Sequence, residues 1–193
     1  MELFARKGYA ATTIGAIEQA AGLAPRSGAL YQYFTGKDEL LSAALERKMQ
    51  TLNDLPSALE MLPLGDLKAE LRLLARWNLK SLQDREALTR FVLRDAQHVP
   101  EALRQELFLR LVDRPYAQVV AWVEHHIGAA AARRVDVYTL TLILVESMAA
   151  YTTLRATFDR LPDDIDDDRF VEAWVGLAAG AIGHAAQPAS AAR

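Results

Sequence analysis

Apolar residues recur at three- and four-residue intervals along most of the chain, which predicts one helix after another. Residues 2–7 read as the end of a helix stopped by Gly8. Thr12 or Thr13 can cap the next helix, whose apolar positions are Ile14, Ile17 and Ala21, and Gly22 ends it. Pro25 suits the first turn of a third helix, where its missing N–H costs nothing. That helix is expected to reach Phe34, with Leu30 and Phe34 one turn apart on its buried side, before Thr35-Gly36 breaks it. A longer helix starts at Lys37, with Leu40, Leu41, Ala44, Leu45, Met49 and Leu52 in one stripe. Further on, the spacing predicts helices over 66–84, 86–97, 101–113, 115–131, 134–160 and 167–184. Pro56, Pro63, Pro100, Pro115 and Pro162 mark boundaries or kinks. No segment alternates as a strand does, and no internal repeat is visible. The expected fold class is all-α, with a disordered tail over 186–193.

Composition narrows the setting. The chain has 193 residues, 51% of them apolar, enough to bury a large core in one or two domains. It has no cysteine, which excludes disulfides and thiolate metal sites. The absence of cysteine makes a cytoplasmic location the simplest expectation, and the N-terminal MELFARKGY lacks the apolar stretch of a signal peptide. The most apolar run, 135–154, contains Asp136 and Glu146 and is rich in Thr and Tyr. It reads as a buried helix at a subunit or domain interface, so no membrane partner is expected.

Two short helices joined by a tight glycine turn form a helix-turn-helix layout, whose second helix enters the major groove of DNA. That gives a purpose to AGLAPRSGALYQYF, residues 21–34. Arg26 and Ser27 lie where the helix begins, and Arg can pair with guanine or a phosphate. Gly28 is small and lets the backbone come close. Tyr31, Gln32 and Tyr33 project hydroxyls and an amide. Lys37 can reach the phosphate backbone, as can Thr13 at a helix N-terminus that itself attracts anions. Residues 1–48 hold six Lys/Arg against five Asp/Glu, +1, and the rest of the chain 16 against 20, −4. The asymmetry permits a DNA-binding module at the N-terminus without requiring one.

LFARKGYAATTIGAIEQAAGL followed by GALYQYFTGKDELLSAALE resembles the N-terminal domain of the TetR family of transcriptional repressors. The shared elements are LFxxKGYxxTTI, the AAG turn, the LYxYF segment and the K(D/E)xL start of the next helix. They cover 1–47 and are specific as a set; the rest matches in architecture alone. The resemblance implies a homodimer with a helix-turn-helix DNA-binding domain over 1–47 and a helical ligand-binding and dimerisation domain over 48–185. It implies a double-stranded DNA operator and a small-molecule effector as partners, and it places Thr13, Ser27, Tyr31, Tyr33 and Lys37 at DNA. Two features depart from the family pattern. APRSGA, between AGL and LYQYF, is about two residues longer than usual and is expected to lengthen the recognition helix at its start, bringing Arg26 into play. Family members also carry more residues ahead of the position of Met1, so either the first helix is short here or the true start lies upstream.

In the C-terminal region, residues 134–160 are apolar almost all round over their first half and are expected to be buried on several sides. The last helix carries Phe170, Trp174, Leu177, Ala181 and Ile182 at helical spacing, interrupted by Gly176, Gly180 and Gly183, which allow close approach. Two copies of this pair would make a four-helix dimer interface. Trp77, Phe91, Arg94, Phe108, Trp122, Glu146 and Tyr151 lie on helices expected to surround an effector pocket. No enzyme, cofactor or metal is expected. Adjacent His125 and His126 point about 100° apart on a helix and chelate poorly. There is no H-E-x-x-H, G-x-S-x-G or phosphate loop, and the 163–168 acidic run lacks the glycine and distal glutamate of a calcium loop. The rival reading is a helical ligand-binding protein of the same fold that no longer recognises DNA.

Overall fold

The computed structural model describes residues 1–50, 59 and 62–187. Leu52, Pro56 and most of the tail, 188–193, lie outside the described residues. Within them the chain is helical and contains no strand. The helices are α1 (Glu2–Ala11), α2 (Ile14–Ala20), a 3-10 helix (Ala29–Gln32), α3 (Lys37–Gln50), α4 (Leu67–Asp84), α5 (Glu86–Asp95), α6 (Glu101–Phe108), α7 (Arg114–Ile127), α8 (Ala129–Ala132), α9 (Val137–Phe158) and α10 (Asp167–Ala186).

Packing divides these helices into two compact units. The described residues of 1–53 and 84–111 form the first, and those of 54–83 and 112–193 the second. This differs from the expected boundary at 47/48, and the reason is the first unit's core. Phe4 and Ala5 of α1 and Leu41, Leu45 and Met49 of α3 are buried with Leu88, Phe91, Val99, Leu103 and Leu107 from the later segment. Three short helices and one longer one cannot bury enough apolar surface alone. Phe91 is fully buried and meets the Phe4 ring edge-on at 6.1 Å.

In the second unit α4, α7, α9 and α10 enclose a core that includes Leu71, Val123, Met148, Val171 and Ile182. Helix α9 is capped by Asp136, whose carboxylate accepts from the Thr139 N–H at 3.0 Å. Its inner stripe runs Val137, Thr141, Leu144, Met148 and Tyr151. The expected burial on several sides does not hold within one chain, because Tyr138, Ile143 and Phe158 are 59%, 61% and 65% exposed. By length and composition α9 could cross a membrane. Its stripe of buried residues makes it instead a wall of this unit's core.

Candidate nucleic-acid interface

Thr13 caps α2, its Oγ1 accepting from the Ala16 N–H at 3.2 Å. The preceding Thr12 is buried and donates to the Gly8 carbonyl at 2.6 Å. After α2 the chain turns at Gly22 (φ +76), and the Leu23 N–H closes onto the Glu18 carbonyl at 2.9 Å. The expected helix from Pro25 to Phe34 does not form. Arg26 takes φ +61 and Gly28 φ +74, and two left-handed residues in three stop an α-helix from propagating. Instead of lengthening the recognition helix, APRSGA makes a turn, and only Ala29–Gln32 is helical, as one 3-10 turn. Ser27 Oγ accepts from the Ala29 N–H at 3.3 Å and starts that turn.

Leu30 and Phe34 pack against the first unit's core, as the sequence suggested. Between them Tyr31 and Tyr33 stand 61% and 75% exposed, with Gln32 also exposed. Arg26 is exposed, and its stem runs past α2, where Cγ would lie 3.4 Å from a Cβ placed on Gly15.

Sequence reasoning missed Glu18. The apolar stripe of α2 was expected to include Ala21, yet Ala21 is exposed and Glu18 is fully buried. Its Oε1 accepts from the Ser27 hydroxyl at 3.3 Å, while Oε2 has no partner. The Ser27 hydroxyl is therefore engaged inside the turn. A buried carboxylate is costly unless bonded, so Glu18 ties the long turn down at Ser27. An acid amid small residues, six positions before the start of a turn of unusual length, was the available signal.

Lys37 is also engaged. Its ammonium donates to the Tyr9 carbonyl at 2.9 Å and lies 4.0 Å from the Tyr9 ring centroid. The Tyr9 ring also stacks on His98 at 4.4 Å and, further off, on Phe4 at 6.2 Å. The Tyr9 hydroxyl donates to Asp38, and holding that proton against a carboxylate pushes the phenol up to about 12. At the start of α3, Glu39 accepts from the Thr35 N–H and hydroxyl at 2.6 and 2.8 Å, which lowers its carboxyl below the ordinary value.

Helix α1 is kinked at Gly8 (φ 83, ψ 167), a conformation essentially reserved for glycine. The helical path breaks there as expected, though α1 continues to Ala11. Arg94 of α5 fills the notch. Its guanidinium donates to the Phe4 and Ala5 carbonyls at 2.8 and 3.1 Å and pairs with Asp95 at 2.8 Å. Cations at such carbonyls satisfy acceptors that the broken helix leaves open.

Of the seven residues expected around an effector pocket, two line one cavity in the second unit: Trp77 and Trp122, joined by Trp174 and Met148. The other five do not. Phe91 is buried in the first unit's core, and Arg94 holds α1. Phe108 is 53% exposed, and Glu146 is exposed and accepts from the Tyr116 hydroxyl. Tyr151 is buried but turned to Asp167, to which it donates at 2.6 Å, and it stacks on Phe170 at 4.0 Å. Helical spacing tells which face is buried, not which cluster receives it. Trp122 is held from behind by Glu70, a buried acid that accepts its indole N–H at 3.1 Å and the Leu64 and Gly65 N–H groups at 2.7 and 3.1 Å.

No curated protein matches the chain. Residues 1–44 match the family model described as bacterial regulatory proteins, tetR family. The match spans α1, α2, the turn with its exposed tyrosines and the first half of α3, the parts that build the helix-turn-helix. Through this segment the chain carries an N-terminal domain of the TetR-family type, a helix-turn-helix found in bacterial regulatory proteins.

Proposed function

We propose that the protein is a dimeric repressor that holds a palindromic operator and leaves it when a small molecule enters the second unit. The carrying observation is the segment Tyr31-Gln32-Tyr33, exposed to solvent between two anchors, Leu30 and Phe34, that pack on the core. Large exposed aromatics on a rigid turn beside a capped helix N-terminus suit base edges and phosphates. In this reading Thr13, Arg26, Gly28, Tyr31, Gln32 and Tyr33 meet DNA, while Ser27 and Lys37 shape the surface from behind.

Dimerisation is supported by α9 and α10. Tyr138, Leu142, Ile143 and Leu177 are apolar or aromatic and exposed in a single chain, and Cβ atoms added at Gly176, Gly180 and Gly183 would meet nothing within 4 Å. Such surface suits a second copy of the same helices. A species of 21.4 kDa in sedimentation at micromolar concentration would refute the dimer. In the dimer the two recognition turns sit about 34 Å apart, one turn of DNA, and effector binding works by changing that spacing.

The test is fluorescence anisotropy with the DNA flanking the protein's own gene, against scrambled competitor, at two salt concentrations. Selective binding that saturates at two chains per palindrome supports the reading. Binding without sequence preference and with steep salt dependence marks a non-specific binder. Two observations favour the rival ligand-binding protein: Ser27 and Lys37 bond inward, and residues 1–48 carry only +1. Absence of any selective binding decides for it.

A further inference from the structure

Among the described residues, three buried side-chain atoms lack a hydrogen-bond partner: Glu18 Oε2, Asn78 Oδ1 and Thr141 Oγ1. Buried polar groups are nearly always bonded, so each exception asks for a cause. Asn78 and Thr141 line the same cavity as Trp77, Trp122, Trp174 and Met148. Thr141 is 1% exposed. A threonine inside a helix can return its hydroxyl to a carbonyl of the preceding turn. On the same helix Ser147 does so to Leu144 at 2.7 Å and Thr152 to Ala149 at 3.0 Å. Thr141 does not.

We propose that this cavity takes a small, neutral aromatic molecule bearing a hydroxyl. The inference rests on the reading of the second unit as effector-binding. No charged side chain lines the cavity, so an ionised ligand would lose its hydration without a counter-charge. The nearby acid, Glu70, is taken up by Trp122 and by the Leu64 and Gly65 N–H groups. All three tryptophans of the chain face the space, and indole walls favour a flat aromatic guest. Asn78 Oδ1 can only accept, whereas the Thr141 hydroxyl can donate. A ligand hydroxyl supplies what both lack, since it donates and accepts.

The cavity measures about 40 Å³, room for a few waters. An aromatic ring enters by parting the side chains, and Met148 is the flexible member of the wall. Binding therefore rearranges the second unit, which a regulator's ligand must do.

The test titrates the full chain, without DNA, with p-cresol, toluene and 4-methylbenzoate by isothermal calorimetry, with tryptophan emission as a second readout. p-Cresol is expected to bind about tenfold or more tighter than toluene, because a site with unpaired polar groups rejects the analogue that cannot pair them. 4-Methylbenzoate is expected not to bind. Thr141→Val and Asn78→Leu should each weaken p-cresol about tenfold while toluene binds them as well as the parent or better. Toluene equal to p-cresol on the parent, preference for the carboxylate, or no binding by any of the three overturns the proposal. Operator anisotropy on the same preparation separates the two readings: selective DNA binding with no p-cresol binding sinks only the ligand class. p-Cresol binding with the expected variant pattern and no selective DNA binding sinks only the repressor.

Discussion

Replacing Gly8 by alanine tests whether Arg94 and the kink in α1 act as one device. At φ 83, ψ 167 an alanine is strained by about 1–3 kcal/mol. Its Cβ would also lie 3.3 Å from Nε and Nη2 of Arg94, so the guanidinium must yield by a few tenths of an ångström and loosen its bonds to the Phe4 and Ala5 carbonyls. Hydrogen bonds to charged groups contribute about 1.5–3 kcal/mol, toward the lower end here because the Arg94 side chain is 42% exposed. Gly8→Ala alone should therefore cost about 2–4 kcal/mol. Arg94→Ala should cost a similar amount, since it opens two carbonyls and leaves the mostly buried Asp95 without its partner. Together they should cost about 1–2 kcal/mol less than the sum, because without the guanidinium the three atoms nearest the new methyl are gone and the backbone strain dominates. Urea unfolding followed by far-ultraviolet circular dichroism measures all three variants. The three tryptophans all lie in the second unit, so their emission reports that unit separately. Costs that add to within about 0.5 kcal/mol would refute the coupling.

Ser27→Ala should cost about 1–3 kcal/mol in thermal unfolding, since it leaves buried Glu18 with no partner. Ser27→Ala combined with Glu18→Leu should cost less than Ser27→Ala alone, because the orphaned acid is gone. Tyr31→Ala should weaken DNA binding in anisotropy while changing stability by less than about 0.5 kcal/mol, given its exposure. Lys37→Ala should lower both, as it releases the Tyr9 carbonyl; equal stability of these two variants would contradict the geometry. Glu39 has a depressed carboxyl, so its contribution is complete above its ordinary value of 4.5 and is lost as pH falls below it. Stability of the parent should therefore drop more steeply below that pH than stability of Glu39→Gln.

The helices of the second unit were largely legible from spacing. The pattern over 66–84 became Leu67–Asp84, and the pattern over 167–184 became Asp167–Ala186. The anchors Leu30 and Phe34 and the Thr13 cap were legible too, because each is a local consequence of residue type and interval. The turn at 24–28 was not. A positive φ at Arg26 is uncommon for a side chain with a Cβ, and only Gly28 hinted at it. Glu18 was missed because periodicity treats an acid as outward-facing by default. The placement of Phe91 and Arg94 needed tertiary information, since an amphipathic helix such as α5 states that it buries a face but not against what. The unpaired Asn78 and Thr141 atoms belong to the same class, as only packing shows which polar groups go without partners.

The first unit is assembled from two separate stretches of the chain, and this matters during synthesis. By the time α3 leaves the ribosome, the helix-turn-helix has all the residues proposed to face DNA but only part of its core. Phe91, Leu103 and Leu107 follow roughly 2–11 seconds later at about 5–20 residues per second. Until then Phe4, Leu41 and Leu45 have no complete cover, and the nascent segment holds apolar surface open to solvent. A transplant of residues 1–47 onto another protein would inherit that unfinished state permanently, so a hybrid regulator must carry 84–111 along with the head.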